Sequence, residues 1–202
     1  MPWRSAAAAV LVLAVGGGAL ALGTDGWSVW TAEGARRQAV LTNPRPLPDY
    51  PLTDSRGNAL NLAELETPLV VVDLIYTRCP TVCLAMGAQL RTLQTELAAT
   101  GLSEKVGILS ITFDPSDDRQ ALADYLERFH AIAPNWRAAR FDNDEDLERI
   151  LEQLGVVLIP EPRVGFVHNA AFYLVENGYV VEILEVEDRM GLLAAIRRRA
   201  AT

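Results

Sequence analysis

The chain has 202 residues and a formal net charge of −8, and half of its residues are hydrophobic. A chain of this length is long enough for one compact domain of about 150 residues with an appendage, and such a domain does not need a disulfide to fold. The acidic charge argues against a nucleic-acid-binding protein, which usually carries a basic face.

The N-terminal segment is apolar and uncharged over residues 5–23. Its length is at the lower limit for a membrane-spanning helix, and residues 19–21, Ala-Leu-Ala, also fit a signal-peptide cleavage site. A buried core helix is the third possibility, but three consecutive glycines suit a packed soluble helix poorly. Because Arg4 precedes the segment, the positive-inside rule leaves the N-terminus in the cytoplasm and exports the rest of the chain. We predict that residues 1–23 are a membrane anchor or signal segment.

The stretch after this segment holds four prolines up to residue 60 and little hydrophobic periodicity. We therefore predict a linker over residues 24–46 and a globular domain over residues 47–202. The domain is expected to open with a small hairpin that turns at residues 55–58, Ser-Arg-Gly-Asn, which are typical turn formers.

Strands and helices alternate through the rest of the chain. The continuous apolar run over residues 68–76 predicts a buried central strand. The later predicted elements are a helix over 83–99, a strand over 105–113, a helix capped by Asp117 or Asp118 that ends near residue 130, a strand over 136–142, a helix over 143–155, a hairpin over 169–186 turning at Asn177-Gly178, and a helix over 188–200. This order predicts an α/β sandwich with a mixed central sheet flanked by helices.

Cys79 and Cys83 are the only cysteines of the chain, and they lie where the predicted central strand ends and a helix begins. A helix N-terminus carries partial positive charge and free N–H groups, which lower the pKa of a thiol placed there. A structural disulfide would gain little here, because the stabilisation by a disulfide grows with the length of the loop that it closes. The pair is therefore predicted to be a redox couple or part of a metal site.

His168 precedes the first strand of the closing hairpin. A lone histidine is more often a core or surface residue, but two thiolates and an imidazole together suit copper, because soft sulfur selects Cu(I) and imidazole suits either oxidation state. Two cysteines alone fall short of the four ligands that structural zinc prefers. The other histidine, His130, lies late in a predicted helix and is expected to be a surface or helix-end residue.

Over about residues 45–200 the chain resembles the Sco/SenC proteins of cytochrome oxidase assembly. The resemblance rests on YTRCPTVC after a buried strand, SITFDPSDD after the next strand, and the late histidine before AAFYLVENG. It implies a thioredoxin-like fold, a membrane tether, and copper bound by Cys79, Cys83 and His168. The implied partner is cytochrome c oxidase subunit II, whose binuclear copper site such proteins help to build, or another copper-delivery protein. The domain is expected on the outer, periplasmic side of the membrane, which is the inner membrane in a diderm bacterium.

The resemblance also implies a cycle and an alternative. Reduced Cys79 and Cys83 would bind copper together with His168 and pass it to a partner's cysteines by ligand exchange, and oxidation to a Cys79–Cys83 disulfide would stop binding. In the alternative, the protein is a membrane-tethered thiol-disulfide oxidoreductase that reduces the cysteines of the oxidase site. The two predictions share both cysteines and differ on whether His168 is needed.

Three features depart from the family pattern. Many members have an acidic residue between the cysteines, where this chain has Thr81 and Val82. Many have an aspartate before the histidine, where this chain has Val167, and an arginine after D-P-x, where it has Asp117. None of these changes removes a proposed ligand, but they alter the surroundings that tune copper affinity. Asp114 is expected to be a turn or capping residue.

Other classes of protein fit the cysteine pattern less well. A peroxiredoxin would need a threonine three residues before its reactive cysteine, and those positions are Tyr76 and Pro80. A general thioredoxin-like oxidoreductase is expected to use C-x-x-C, and the extra residue here argues against that class without excluding it. A domain with a structural or interaction role and no metal also stays open. The preferred prediction is a membrane-associated copper chaperone.

Overall fold

The structure is a computed structural model that describes residues 2–24, 26, 29–63, 65, 67–161 and 165–201. Within these ranges the chain forms six helices and ten strands. The helices are α1 (Pro2–Gly23), α2 (Ala32–Thr42), α3 (Val82–Ala99), α4 (Arg119–Arg128), α5 (Asp144–Leu154) and α6 (Arg189–Ala200). The strands are β1 (Arg45–Pro46), β2 (Pro51–Asp54), β3 (Ala59–Asn61), β4 (Leu69–Ile75), β5 (Val106–Thr112), β6 (Trp136–Phe141), β7 (Leu158–Glu161), β8 (Gly165–His168), β9 (Ala171–Glu176) and β10 (Tyr179–Glu185).

Eight strands form one mixed sheet in the order β1-β10-β9-β4-β5-β6-β2-β3. The central strands β4, β5 and β6 are parallel, whereas β9 and β2 pair with them in the antiparallel sense. Helix α3 packs on β5, helices α4 and α5 pack on β6, and α6 packs on β4 and β10. The predicted mixed sheet flanked by helices is therefore confirmed.

The two central parallel strands are buried along their whole length, as their continuous apolar sequences predict. Their last residues, Ile75 and Thr112, are register partners, and the N–H of Phe113 donates to the carbonyl of Ile75 at 3.0 Å. The residues that follow both strands therefore emerge side by side at one edge of the sheet. In parallel sheets this carboxyl edge is where binding sites usually form.

The predicted elements of the domain are present with bounds that differ by one or two residues. Asp118, one of the two predicted caps, is the N-cap of α4, and its carboxylate accepts from the N–H of Ala121 at 2.8 Å. Gly155 ends α5 in the left-handed conformation. Asn177 and Gly178 both have positive φ angles, as a two-residue hairpin turn requires.

Helix α2 lies inside the predicted linker. Thr31 caps it by accepting from the N–H of Gly34, and Val40 is its one fully buried side chain. The helix packs against β10, and Arg36 bonds to the hydroxyl of Tyr173 at 3.3 Å. Because α2 buries one apolar side chain over its eleven residues, its sequence shows no periodic hydrophobic stripe. Polar contacts hold the helix in place.

Strands β7 and β8 form a hairpin of their own, hereafter the β7–β8 hairpin, which among the described residues pairs with no strand of the main sheet. The sequence did not predict it, because Pro160 interrupts its first strand and half of its side chains face solvent. His168, predicted to precede the closing hairpin, is the last residue of β8.

Helix α1 contains the apolar segment. Residues 5–23 have a mean hydropathy of 2.2, and none of this segment is buried against the rest of the chain. The buried core helix considered from the sequence is therefore not what the structure shows. By length and composition this segment is able to cross a membrane.

Candidate metal and redox site

The predicted pair of cysteines lies at the start of α3, at the carboxyl edge of the sheet. The segment that joins β4 to α3, hereafter the cysteine loop, comprises residues 77–81. Cys79 and Cys83 are free thiols that are only 3% and 2% exposed. The N–H of Cys83 donates to the Cys79 sulfur at 3.3 Å, which directs one of the unpaired amides of the helix N-terminus at that sulfur.

The two thiols differ in acidity. Burial by itself raises the pKa of the Cys79 thiol, but hydrogen bonds from the Cys83 thiol, the Thr81 and Cys83 N–H groups and the Tyr76 hydroxyl outweigh it, and the pKa is lowered. The pKa of Cys83 is raised, first by burial and then because its thiol donates to Cys79. Cys79 is therefore the cysteine that ionises first.

A groove of about 400 Å³ opens beside Cys79. Its lining consists of Thr77, Arg78, Cys79, Pro80, Leu84, Ala121, Asp124 and Arg128. Cys83 is not among these residues, so the more acidic cysteine is also the one that lines the opening.

Asp117 fixes the beginning of the cysteine loop. Its side chain is buried, and it accepts from the N–H and the hydroxyl of Thr77 at 2.8 and 2.7 Å. It also accepts from the hydroxyl of Thr112 at 2.6 Å, at the end of β5. The sequence suggested this residue as a possible cap of α4, which Asp118 provides instead, and as a departure from the family pattern, whereas the structure shows it joining two strand ends.

Asp114 is the turn residue that was predicted. One carboxylate oxygen accepts from the N–H of Ser116 at 2.9 Å, and the other pairs with Arg78 of the cysteine loop at 2.6 Å. Burial raises the pKa of Asp114, but the bonds from Ser116 and Arg78 outweigh it and lower the pKa. The loop after β5 thus contacts two successive residues before Cys79, one through Asp117 and one through Asp114.

His168 lies on the inner side of the β7–β8 hairpin, next to Phe113, which follows β5. Its imidazole packs edge-on against Phe113, with ring centroids 5.0 Å apart. Its Nε2 atom is buried and has no hydrogen-bond partner among the described residues. Burial lowers the pKa of His168, which favours the neutral imidazole that binds metals.

Three aromatic rings, hereafter the aromatic cluster, fill the space between the histidine and the cysteine loop. Tyr76, Phe113 and Phe166 contact one another pairwise with centroid distances of 5.5 Å. The sequence prediction missed all three as site residues. The sequence did contain a signal, since Tyr76 and Phe113 each directly follow a central parallel strand. Phe166 lies two residues before His168, so the two side chains are on the same face of β8.

The structure thus brings the two cysteines together, and it places His168 against Phe113, a member of the aromatic cluster, at the same edge of the sheet. Within the described ranges, no three side chains of the His, Cys, Asp and Glu types lie close enough together to hold a metal ion. His130, expected at a helix end, is exposed just after α4 with a positive φ angle.

Comparison with known proteins identifies relatives of this chain. Residues 40–201 match the family model described as SCO1/SenC. The SCO1 protein homolog of Bacillus subtilis (strain 168) is 29% identical over 125 residues, which are 59% of this chain and 62% of that protein. The match thus spans less than two thirds of that relative's length.

Solved structures of low sequence identity share the fold. A SCO1/SenC family lipoprotein from Bacillus anthracis str. Ames is 22% identical with a TM-score of 0.69, and the match covers 78% of this chain and 98% of that one. Yeast Sco1, solved with copper bound, is 20% identical with a TM-score of 0.64, and the match covers 79% and 90%. The chain therefore has the thioredoxin-like fold of these proteins.

Proposed function

The chain belongs to the SCO1/SenC family, and on that basis we propose that it is a copper chaperone that binds the ion through Cys79, Cys83 and His168. One observation carries the proposal: the Nε2 atom of His168 is buried without a partner among the described residues, at the sheet edge that holds both thiols. A neutral imidazole with an unused nitrogen is a ready ligand, and two thiolates supply the soft donors that select Cu(I). Yeast Sco1, which shares the fold, binds copper in its solved structure.

Coordination by all three residues requires the imidazole to approach the sulfurs. The β7–β8 hairpin is separate from the eight-stranded sheet, so it can shift without breaking any hydrogen bond of the main strand ladder. Copper binding is therefore proposed to draw the hairpin toward the cysteine loop.

The proposed acceptor is the binuclear copper site of cytochrome c oxidase subunit II. Transfer would proceed by ligand exchange, in which a cysteine thiolate of the acceptor bonds to Cu(I) as one ligand of the chaperone leaves, with no change in oxidation state. The groove beside Cys79 gives the acceptor a route to the ion. Replacement of the remaining ligands one at a time would complete the transfer.

We further propose that residues 1–23 anchor the chain in a membrane, residues 24–46 link the anchor to the domain, and residues 47–202 form the copper-binding domain on the outer side. The apolar segment of 19 residues spans about 28 Å as a helix, which matches the hydrocarbon core of a bilayer. The similar protein from Bacillus anthracis is described as a lipoprotein, which supports the proposed anchor.

The test is copper binding by the reduced full-length chain in detergent micelles. We expect one Cu(I) per chain, a weaker affinity for His168→Ala, and no retention by Cys79→Ser or Cys83→Ser. His130→Ala is the matched control, because it removes the other, exposed histidine. If His168→Ala bound copper as tightly as His130→Ala, the proposed ligand set would be wrong.

A thiol-disulfide oxidoreductase is the second candidate, and the opposite pKa shifts of the two cysteines favour it. The Cys79 thiolate would attack one sulfur of a partner disulfide and release the other as a thiolate. Cys83, after losing its proton, would attack the Cys79 sulfur and release the second partner thiolate, so that two electrons pass to the partner. Collapse of disulfide exchange in His168→Ala with unchanged copper binding would favour this candidate over the chaperone.

A further inference from the structure

Tyr76 touches both parts of the proposed site. It directly follows β4, and its side chain is buried. Its hydroxyl donates to the carbonyl oxygen of Phe166 on the β7–β8 hairpin at 3.3 Å, and its own backbone carbonyl accepts from the N–H of Cys79 at 3.1 Å. One residue therefore connects the cysteine loop to the strand that carries His168.

The packing around the ring supports the same connection. The Tyr76 ring lies against Phe166 and Phe113, and Phe113 in turn packs against His168. Gly165 has a φ angle of +90°, and a Cβ atom at that position would lie 3.1 Å from the Tyr76 ring. A glycine here lets the start of β8 approach the tyrosine closely.

Within the described residues, no strand-to-strand hydrogen bonds hold the β7–β8 hairpin against the main sheet, so its contact with Tyr76 matters. In the part of the chain that the structure describes, it pairs with no strand of the main sheet, and alternate side chains of β8 point to solvent. The aromatic cluster and the bond from the Tyr76 hydroxyl are therefore the described contacts that join the inner face of β8 to the strand ends beside the cysteine loop.

We propose that Tyr76 is a positioning residue that holds the β7–β8 hairpin, and with it His168, beside the cysteine loop. The bond from its hydroxyl to the Phe166 carbonyl and the packing of its ring on Phe166 together tie β8 to the residue that directly follows β4.

Amide hydrogen exchange tests the contact without copper. In the reduced, metal-free chain, Tyr76→Phe keeps the ring and removes only the hydroxyl. We expect the β7–β8 ladder amides to exchange about five- to tenfold faster, as the loss of one hydrogen bond implies, while β9 exchanges as in the wild type. Tyr173→Phe is the matched control, because it removes a buried hydroxyl with a 3.3 Å bond to Arg36, and it should leave the hairpin unchanged. Unchanged hairpin exchange in Tyr76→Phe would overturn the proposal.

A double-mutant cycle tests the role toward His168, which rests on the proposed function. Tyr76→Phe should weaken copper binding about five- to tenfold in the wild-type background and have no effect in a His168→Ala background, because the tyrosine acts through the histidine. An equal loss in both backgrounds would show that Tyr76 acts on the cysteines instead. If the wild type bound no copper, the proposed function would fail, and the exchange measurement would still decide whether Tyr76 holds the hairpin.

Discussion

Asp117 receives two hydrogen bonds from Thr77, one from the backbone N–H at 2.8 Å and one from the side-chain hydroxyl at 2.7 Å. Thr77 lies two residues before Cys79, so a carboxylate from the loop after β5 sets the path of the chain into the cysteine loop. A third bond, from Thr112, ties the same carboxylate to the end of β5. The buried donors of Thr77 and Thr112 thus depend on one acceptor.

The first prediction concerns this acceptor. Asp117→Ala should lower the free energy of unfolding by about 2–4 kcal/mol, because it leaves buried donors unpaired. The surface pair of Thr53 and Asp142, with a bond of 2.6 Å, is the matched control, and Asp142→Ala should cost less than about 1 kcal/mol. Urea unfolding of the reduced chain measures both, and equal losses in the two variants would contradict the prediction.

The second prediction concerns Asp73, in the middle of β4. It is 0% exposed, neither carboxylate oxygen has a hydrogen-bond partner among the described residues, and burial raises its pKa to about 7. The folded chain therefore holds a proton on Asp73 at pH values where the unfolded chain, with its ordinary pKa near 3.9, has lost it.

Stability from this group is fully present below about pH 4 and falls as the pH rises to about 7. The gap between the two pKa values sets an upper limit of about 4 kcal/mol on the loss. Asp73→Asn should therefore be more stable than the wild type at pH 8 and similar to it at pH 4. Asp124→Asn, at an exposed position, should match the wild type at both pH values. Thermal unfolding at both pH values measures this, and a wild type that gains stability relative to Asp73→Asn on going from pH 4 to pH 8 would contradict it.

The third prediction concerns the order in which the cysteines react. Because the pKa of Cys79 is lowered and that of Cys83 is raised, iodoacetamide at neutral pH should alkylate Cys79 first in the reduced, metal-free chain. Cys79 also lines the groove, which gives the reagent access to this sulfur. Peptide mass spectrometry over time reports each site, and the urea-unfolded chain, in which both should react alike, is the control. Faster labelling of Cys83 in the folded chain would reverse the assignment of attacking and resolving thiols.

The fourth prediction concerns the apolar segment. Leu13 lies near its middle, where an arginine costs about 2.5–3.5 kcal/mol in a membrane. Wild-type chain should stay in the membrane after carbonate extraction, and Leu13→Arg should shift toward the soluble fraction. Met190→Arg is the control, since Met190 is 73% exposed on α6 and the change should not alter the distribution. A shorter wild-type chain in the soluble fraction would instead identify a cleaved signal segment.

Most of the domain could be predicted from its sequence because its elements carry strong local signals. The apolar runs of β4 and β5 mark buried parallel strands whose ends meet, and this alone places Cys79 at a helix N-terminus on the carboxyl edge of the sheet. The ends of several elements were also predictable, since each residue type there suits the backbone conformation that it adopts. Examples are the start of α4 at Asp118, the end of α5 at Gly155 and the hairpin turn at Asn177-Gly178.

The remaining features depend on contacts between residues that are distant in sequence. Helix α2 has one buried apolar side chain, and its polar contacts reach residues more than a hundred positions away. The bond from Tyr76 to Phe166 spans ninety positions, and nothing local to either residue indicates it. At position 117 the sequence shows an aspartate where many family members have an arginine. Only the buried position of Asp117 between Thr77 and Thr112 shows that it accepts hydrogen bonds from both.

If α1 anchors the chain, the docking of α2 on β10 limits how far the domain can travel from the membrane. A free linker over residues 24–46 would extend to about 80 Å, whereas only residues 24–31 separate α1 from α2, and these reach at most about 28 Å. For a chain anchored by α1, that reach is about the diameter of a small domain. Encounters would then be confined to a thin layer at the membrane surface, where the domain collides with neighbours embedded in the same bilayer far more often than with freely diffusing proteins.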